Sequence, residues 1–179
     1  MWDNGKRRLR VIRSARWFVL LALASSSFAP VALGRSPDSD AQDEIVQLRK
    51  GDPEMAAAIQ KARRGLAEFL ALAESPRPGL QGFSLKVGIP VGDDVEYVWV
   101  EPFRRNGDDF EGRLANTVQL RPDLQFGQAI VFDENNIADW SYRDGSRLVG
   151  NETSCVLVRR RPRGEWAALE VKHGLNCNL

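Results

Sequence analysis

The sequence has little of what most enzymes use in their active sites. It contains one histidine, His173, and two cysteines in 179 residues. A Ser-His-Asp or Cys-His mechanism would have to use His173, and no nucleophile motif surrounds that residue. A usual zinc site needs four clustered nitrogen or sulfur ligands, more than these residues supply. No glycine-rich phosphate loop is present. We therefore expect no metal, no cofactor and no catalytic residue of these kinds.

The charge distribution argues against a nucleic-acid binder. The formal net charge is +1, but six basic residues fall within the first 34 positions, where Asp3 is the only acid. Residues 35–179 therefore hold 19 of the 25 Lys and Arg and 23 of the 24 Asp and Glu, a formal charge of −4. A mildly acidic body lacks the basic surface that nucleic-acid recognition requires.

The N-terminus is typical of a secretory signal peptide over residues 1–34. A basic head is followed by the short apolar run Trp17–Ala24 and by a segment of small residues. Ala32 and Gly34 occupy the −3 and −1 positions of a cleavage site after Gly34. The alternative is a retained anchor, but serines and a proline interrupt the apolar stretch, and a spanning helix needs about 20 apolar residues. We expect an exported protein, periplasmic or secreted, that meets a membrane only if this segment is retained.

Residues 35–51 are polar and predict a flexible lead-in. Asp52-Pro53-Glu54 then predicts a helix start, with an Asp N-cap and proline in the first turn. Apolar residues recur at three- and four-residue steps from Met55 to Ala73, and Ser75-Pro76 ends the helix. This amphipathic helix packs on the domain's own sheet or presents its stripe to a membrane or partner; we favour internal packing.

The remainder predicts short strands separated by turns. Pro90–Asp94 predicts a hairpin turn, Pro102 is expected to close the second strand, and Asn106-Gly107 marks another turn. The predicted strands are Phe83–Ile89, Val95–Val100, Phe110–Leu114, Gly127–Phe132, Ser154–Arg159 and Glu165–Lys172. The predicted fold is α+β, with one amphipathic N-terminal helix packed on a mainly antiparallel, strongly curved β-sheet of about five or six short strands.

Several blocks of this sequence resemble, in order and spacing, the bacterial family called domain of unknown function 2314. The blocks include VEYVWVEPF, LQFGQAIVFDENNIADWSY and LVGNET, and the resemblance covers about residues 52–158. It implies a single domain with a shared fold, followed by a C-terminal extension over residues 159–179, and it carries no mechanism. It also implies that six residues stand at recurring family positions: Trp99, Asn116, Asp139, Trp140, Gly150 and Asn151.

Cys155 and Cys177 are predicted to form a disulfide bond, because a cysteine pair in an exported chain usually does. The bond would tie the extension back to the domain. The alternative is one buried thiol and one free thiol near the C-terminus.

The best candidates for a binding site are Trp99, Asn116, Asp139, Trp140 and Asn151. An exposed tryptophan beside an acid suits recognition of a protein, peptide or sugar. The alternative is that both indoles fill the core and Asp139 caps a turn.

The expected function is non-catalytic binding of a protein or cell-envelope component. Two other hypotheses are a hydrolase that uses paired carboxylates, such as Glu101 and Asp139, and an inhibitory or immunity-type module.

Overall fold

The computed structural model describes residues 9–11 and 52–177. The predicted signal peptide and lead-in lie outside this range except for Leu9–Val11. The elements, in chain order, are β1 (Leu9–Val11), α1 (Pro53–Glu74), β2 (Leu80–Val91), β3 (Asp94–Asn106), β4 (Asp109–Leu114), β5 (Ala129–Asp133), β6 (Ile137–Asp144), β7 (Arg147–Gly150), α2 (Glu152–Arg159) and α3 (Arg163–His173). The strands form one antiparallel sheet in the order β1-β5-β4-β3-β2-β6-β7. The predicted α+β class is confirmed.

Helix α1 begins and ends where the sequence predicts. The Asp52 carboxylate accepts hydrogen bonds from the backbone N–H groups of Glu54 and Met55, at 3.1 and 3.2 Å. Ser75 is the C-cap, directly before Pro76. The apolar stripe faces the sheet, so the helix packs internally. Its buried residues are Met55, Ala58, Ala62, Leu66, Phe69 and Leu70.

The predicted hairpins are present, but β3 is longer than expected. We predicted that Pro102 would end this strand, and the strand instead continues to Asn106. Its pairing with β4 shifts register between Val100 and Phe103, so one extra residue is accommodated there. Proline lacks a backbone N–H and is tolerated in a strand at such an irregularity.

The short connection between β5 and β6 requires strong curvature of the sheet. Only Glu134–Asn136 separate Asp133 from Ile137, yet β4, β3 and β2 lie between β5 and β6 in the sheet. In a flat sheet these two strands would be about 19 Å apart. The four residue steps of the link span at most about 14 Å, even when fully extended. The sheet must therefore coil so that one end of β5 approaches β6, although the sheet does not close.

The main apolar core lies inside this curve. It combines residues of α1, of the inner face of the sheet and of the loop that joins β4 to β5, where Val118 and Leu124 are buried. The buried carboxylate of Glu96 holds this loop by accepting hydrogen bonds from Gln119 N–H and Leu120 N–H, at 2.7 and 2.8 Å. The largest fully buried side chains include Phe69, Phe110, Phe132, Leu85, Ile89 and Leu114.

The C-terminal third corrects several expectations. Ser154–Arg159 and Glu165–Lys172, predicted as strands, lie in the helices α2 and α3. A short apolar run cannot be assigned to helix or strand by periodicity alone. Helix α2 is buried on several sides because α1, β6 and the disulfide bond surround it. The strands β6 and β7 are not among the predicted strands, because their apolar residues are scattered among polar ones, and a turn at Asp144-Gly145 joins the two.

Candidate functional site

The strand register places Asp139 and Trp140 on opposite faces of the sheet. Lys86 of β2 stands opposite both Trp99 of β3 and Asp139 of β6, so these three residues share a face that we call the outer face. Leu85 stands opposite Trp140, and both lie on the inner face, which carries the core. Side chains alternate between faces along a strand, so no strand could present Asp139 and Trp140 together.

Trp140 belongs to the packing between α1 and the sheet. Its indole N–H donates a hydrogen bond to the carbonyl of Ala62, at 2.8 Å. Its ring stacks on Phe69, with 4.9 Å between ring centroids. Gly65 passes so close that an added Cβ would lie 2.8 Å from the indole. Trp140 therefore occupies the position that the core interpretation described.

Asp139 is at the centre of a buried polar cluster on the outer face. Its carboxylate accepts hydrogen bonds from the backbone N–H and the hydroxyl of Thr153, at 2.7 and 2.6 Å, and from Trp140 N–H at 2.9 Å. The Lys86 ammonium donates to the hydroxyls of Thr153 and Ser154, at 2.9 and 3.0 Å. We call Lys86, Asp139, Thr153 and Ser154 the Lys86–Asp139 centre.

The two charges of the Lys86–Asp139 centre depend on each other. Burial raises the pKa of Asp139, and the Lys86 charge and the Thr153 hydrogen bonds act in the opposite direction. Burial likewise lowers the pKa of Lys86, and the Asp139 charge opposes that shift. Buried ions persist in proteins when they are paired and hydrogen-bonded. Each group is therefore the counter-charge that allows the other to be buried.

Trp99 covers the lysine of this centre. The Lys86 ammonium lies 4.6 Å from the centroid of the Trp99 ring, within the range of a cation–π interaction. The backbone of Trp99 is fixed on both sides: its N–H donates to Asn116 Oδ1 at 2.6 Å, and its carbonyl accepts from Ala115 N–H at 2.8 Å. The indole is half-buried, as is Tyr97 two residues earlier on the same face. Two partly exposed aromatic residues therefore lie on the outer face, and the backbone of Trp99 is held on both sides.

Asn151 controls the entry of the chain into α2. It is the N-cap residue, with a left-handed backbone at φ 65°, and its N–H donates to the carbonyl of Trp140 at 2.9 Å. Gly150 before it has φ 80°, and an added Cβ would lie 2.3 Å from that same carbonyl oxygen. The Oδ1 atom of Asn151 is buried and has no hydrogen-bond partner among the described residues. These two residues direct Thr153 and Ser154 toward Lys86.

The predicted disulfide bond is present between Cys155 and Cys177, whose Cα atoms are 5.2 Å apart. It joins α2 to the chain beyond α3, rather than joining a strand to the tail. The contact is reinforced by Arg159, which donates to the carbonyl of Cys177 at 2.7 Å. Trp166 and Leu169, three residues apart on α3, pack against the pair. The bond therefore holds the helix whose first turn supplies Thr153 and Ser154.

Four of the five predicted site residues, Trp99, Asn116, Asp139 and Asn151, lie at or beside the Lys86–Asp139 centre. Sequence reasoning missed Lys86, Thr153 and Ser154. The polar position of Lys86 within an alternating apolar strand was visible, but its burial was not. Among residues 9–11 and 52–177, no group of three His, Cys, Asp or Glu side chains is arranged to hold a metal ion. Within the same ranges, no helix has the length and apolarity needed to cross a membrane.

The fold and the site together define a small α+β domain with a curved antiparallel sheet and a buried lysine and aspartate that are bridged by a threonine hydroxyl beside a tryptophan ring. The chain belongs to the family described as "Uncharacterized protein conserved in bacteria (DUF2314)", which matches residues 52–177. The match extends beyond Val158, where the resemblance was expected to end, and includes α3 and Cys177. The chain is also similar to "Uncharacterized protein YegJ" of Escherichia coli (strain K12), with 23% identity over 134 residues, which cover 75% of this chain and 86% of that protein. No solved structure matches the chain.

Proposed function

We propose that this chain is an exported, non-catalytic binding domain that recognises a protein or cell-envelope component through the outer face around Trp99. The observation that carries the proposal is the half-exposed Trp99 ring, which lies over the Lys86 ammonium and has its backbone fixed by Asn116. Rigid aromatic side chains lose little conformational entropy on binding and are enriched among the residues that dominate interface energies.

The surroundings of Trp99 support binding more than catalysis. The Lys86–Asp139 centre below the indole is a paired, hydrogen-bonded structure that keeps the ring in one position. Tyr97 adds a second aromatic surface on the same face of β3. Preorganisation of this kind reduces the cost of ordering the surface when a partner binds.

Export is supported by two observations. The first 34 residues have the order of a secretory signal. The disulfide bond between Cys155 and Cys177 is compatible with an oxidising compartment. The mass of the protein recovered from its bacterial host tests this part of the proposal, because cleavage after Gly34 would remove residues 1–34. Recovery of uncleaved chain in the cytoplasm alone would contradict it.

The binding surface is tested by placing a photocrosslinking amino acid at Tyr97. The matched control is the same amino acid at Phe126, an aromatic residue that is 72% exposed in the β4–β5 loop. We expect an adduct from the Tyr97 position and little from the control. Trp99→Ala should reduce the Tyr97 adduct by at least about fivefold, the effect of losing an interface contact worth 1 kcal/mol. Equal adducts at both positions, unaffected by Trp99→Ala, would contradict the proposal.

One contact favours a second candidate function, acyl transfer by Ser154. Its hydroxyl oxygen is 3.0 Å from the Lys86 nitrogen, and the residue is half-buried. In this reaction Ser154 Oγ bonds to the acyl carbon and Lys86, as the neutral amine, takes the hydroxyl proton. The bond between the acyl carbon and the leaving group then breaks, and the leaving group takes that proton. Burial lowers the pKa of Lys86, which favours the amine, whereas Asp139 favours the ammonium. This opposing charge is why we place binding first.

A fluorophosphonate probe distinguishes the two functions. Modification of Ser154 in the native protein, absent from Ser154→Ala, would support acyl transfer. An unmodified protein would reject acyl transfer.

The paired-carboxylate hydrolase remains a separate prediction. Burial raises the pKa of Glu101 and is the largest cause of the raised pKa of Asp139, but the charge that acts on Asp139 is that of Lys86.

A further inference from the structure

Strand β5 has a second partner that comes from far outside the family domain. Leu9, Arg10 and Val11 of β1 stand opposite Phe132, Val131 and Ile130, in antiparallel register. The family match begins at residue 52, so β1 is not part of the conserved domain. The edge of that domain's sheet is therefore β5, and β1 covers it with three residues.

The β5 edge is well suited to hold an added strand. Ile130 and Phe132 are fully buried in the core, and β4 pairs with β5 along its whole length, so the strand is firmly positioned. An edge strand presents backbone N–H and C=O groups that another extended segment can pair with. Strand addition to such an edge is a general mode of peptide recognition, in which backbone hydrogen bonds contribute affinity and alternate side chains contribute specificity.

The segment that occupies the edge indicates what fits there. Its sequence, Leu-Arg-Val, alternates apolar, basic and apolar residues. The register aligns Arg10 with Val131, and Val131 with Glu111 of β4, which forms an ion pair with Arg104. The outer apolar positions align with Phe132 and Ile130, whose side chains belong to the core face.

We propose that the β5 edge is a peptide-docking site that accepts one extended segment of a protein partner, with an apolar–basic–apolar pattern, and that Leu9–Val11 occupies this site in the full-length chain. Cleavage after Gly34 removes this internal occupant and opens the edge in the exported form. The timing of opening rests on the proposed export, whereas the docking site itself does not. The site is also separate from Trp99, so its test is independent of the crosslinking experiment.

Hydrogen–deuterium exchange of the full-length chain tests the site. Arg10→Pro and Val11→Pro are made singly, because consecutive residues of a strand direct their N–H groups to opposite sides and one of the two variants must lose a β5 hydrogen bond. Arg10→Ala and Val11→Ala, which keep the backbone N–H groups, are the matched controls. In the disrupting variant we expect the β5 amides that face β1 to exchange at least about tenfold faster, with the β5 amides that face β4 and the strands β2 and β3 unchanged.

A synthetic peptide of residues 7–13 is then added to the disrupting variant. We expect it to restore protection of the β5 amides that face β1, and a peptide that carries the same proline substitution as the disrupting variant to fail. Unchanged exchange in both proline variants would overturn the proposal, as would loss of protection that the peptide does not restore. Protection that returns through dimerisation, detected by analytical ultracentrifugation, would overturn it in favour of a second copy of the chain.

Discussion

The Lys86–Asp139 pair provides the sharpest test of the site's energetics. Lys86→Met keeps the aliphatic stem beneath Trp99 and removes the charge, and Asp139→Asn keeps the shape and removes the opposite charge. Each single substitution leaves a buried charge without its counter-charge. Because the Thr153 hydroxyl bridges the two groups, we expect a cost of about 3 kcal/mol of unfolding free energy, the lower end of the range for breaking a buried ion pair. The Asp139 carboxylate accepts hydrogen bonds from three donors. In Asp139→Asn the amide N–H faces one of these donors, which adds a cost of about 1–3 kcal/mol in unfolding free energy.

The double variant contains neither charge of the Lys86–Asp139 centre, so the cost in unfolding free energy should be close to that of one single substitution rather than to their sum. This predicts a coupling energy of about 3 kcal/mol, at the upper end of values for residues in contact. Urea unfolding of the four proteins, followed by circular dichroism, supplies the free energies. The control cycle uses Arg104→Met and Glu111→Gln, a surface ion pair whose arginine is 68% exposed. That pair should give at most about 1 kcal/mol. Equal coupling in the two cycles would refute the mutual dependence of the buried charges.

Three further predictions concern the frame around the site. Gly150→Ala should lower the free energy of unfolding by at least about 3 kcal/mol, because the added Cβ would clash with the Trp140 carbonyl. Gly145→Ala, which has a similar φ and open space around it, should lower that free energy by about 1 kcal/mol through backbone strain alone. Urea unfolding of both variants separates the clash from the strain. Reduction of the disulfide bond, whose cysteines are 22 positions apart, should lower the free energy of unfolding by about 3 kcal/mol. Urea unfolding with and without reductant measures this loss, and an unchanged unfolding midpoint would contradict the prediction. Asp52→Asn retains the helix cap but loses the negative charge that pairs with Arg160, whose hydrogen bond is the main cause of the lowered pKa of Asp52. The wild type should therefore be the more stable of the two above pH 3.8, and its advantage should disappear as pH falls through the lowered pKa; a difference that persists in acid would show another cause.

The sequence was sufficient where structure depends on neighbouring residues. Helix α1 has its N-cap, its proline and its terminating Ser75-Pro76 within the segment itself, so both ends were predictable. The turns at Asn106-Gly107 and Asp144-Gly145 are equally local. The cysteine pairing followed from the expected compartment and the small number of cysteines.

The site depends on partners that are distant in the sequence. Lys86 donates to a hydroxyl 67 residues away, and nothing near either residue signals that contact. Strand β6 was missed because its alternation places Asp139 and Ser141 on a buried polar face, so the segment has the composition of a loop. Once that strand is recognised, its period of two separates Asp139 from Trp140 without further information.

The three-residue link Glu134–Asn136 has a consequence for how this family can change in evolution. The link joins β5 to β6, and three other strands lie between these two in the sheet. The length of the link therefore limits how far the sheet can uncoil. An insertion there would relax the coil and loosen the core, whereas an insertion at the exposed Gly107 turn would only extend a hairpin tip. We therefore expect homologous chains to accumulate length variation at the β3–β4 turn and to keep the β5–β6 link at constant length.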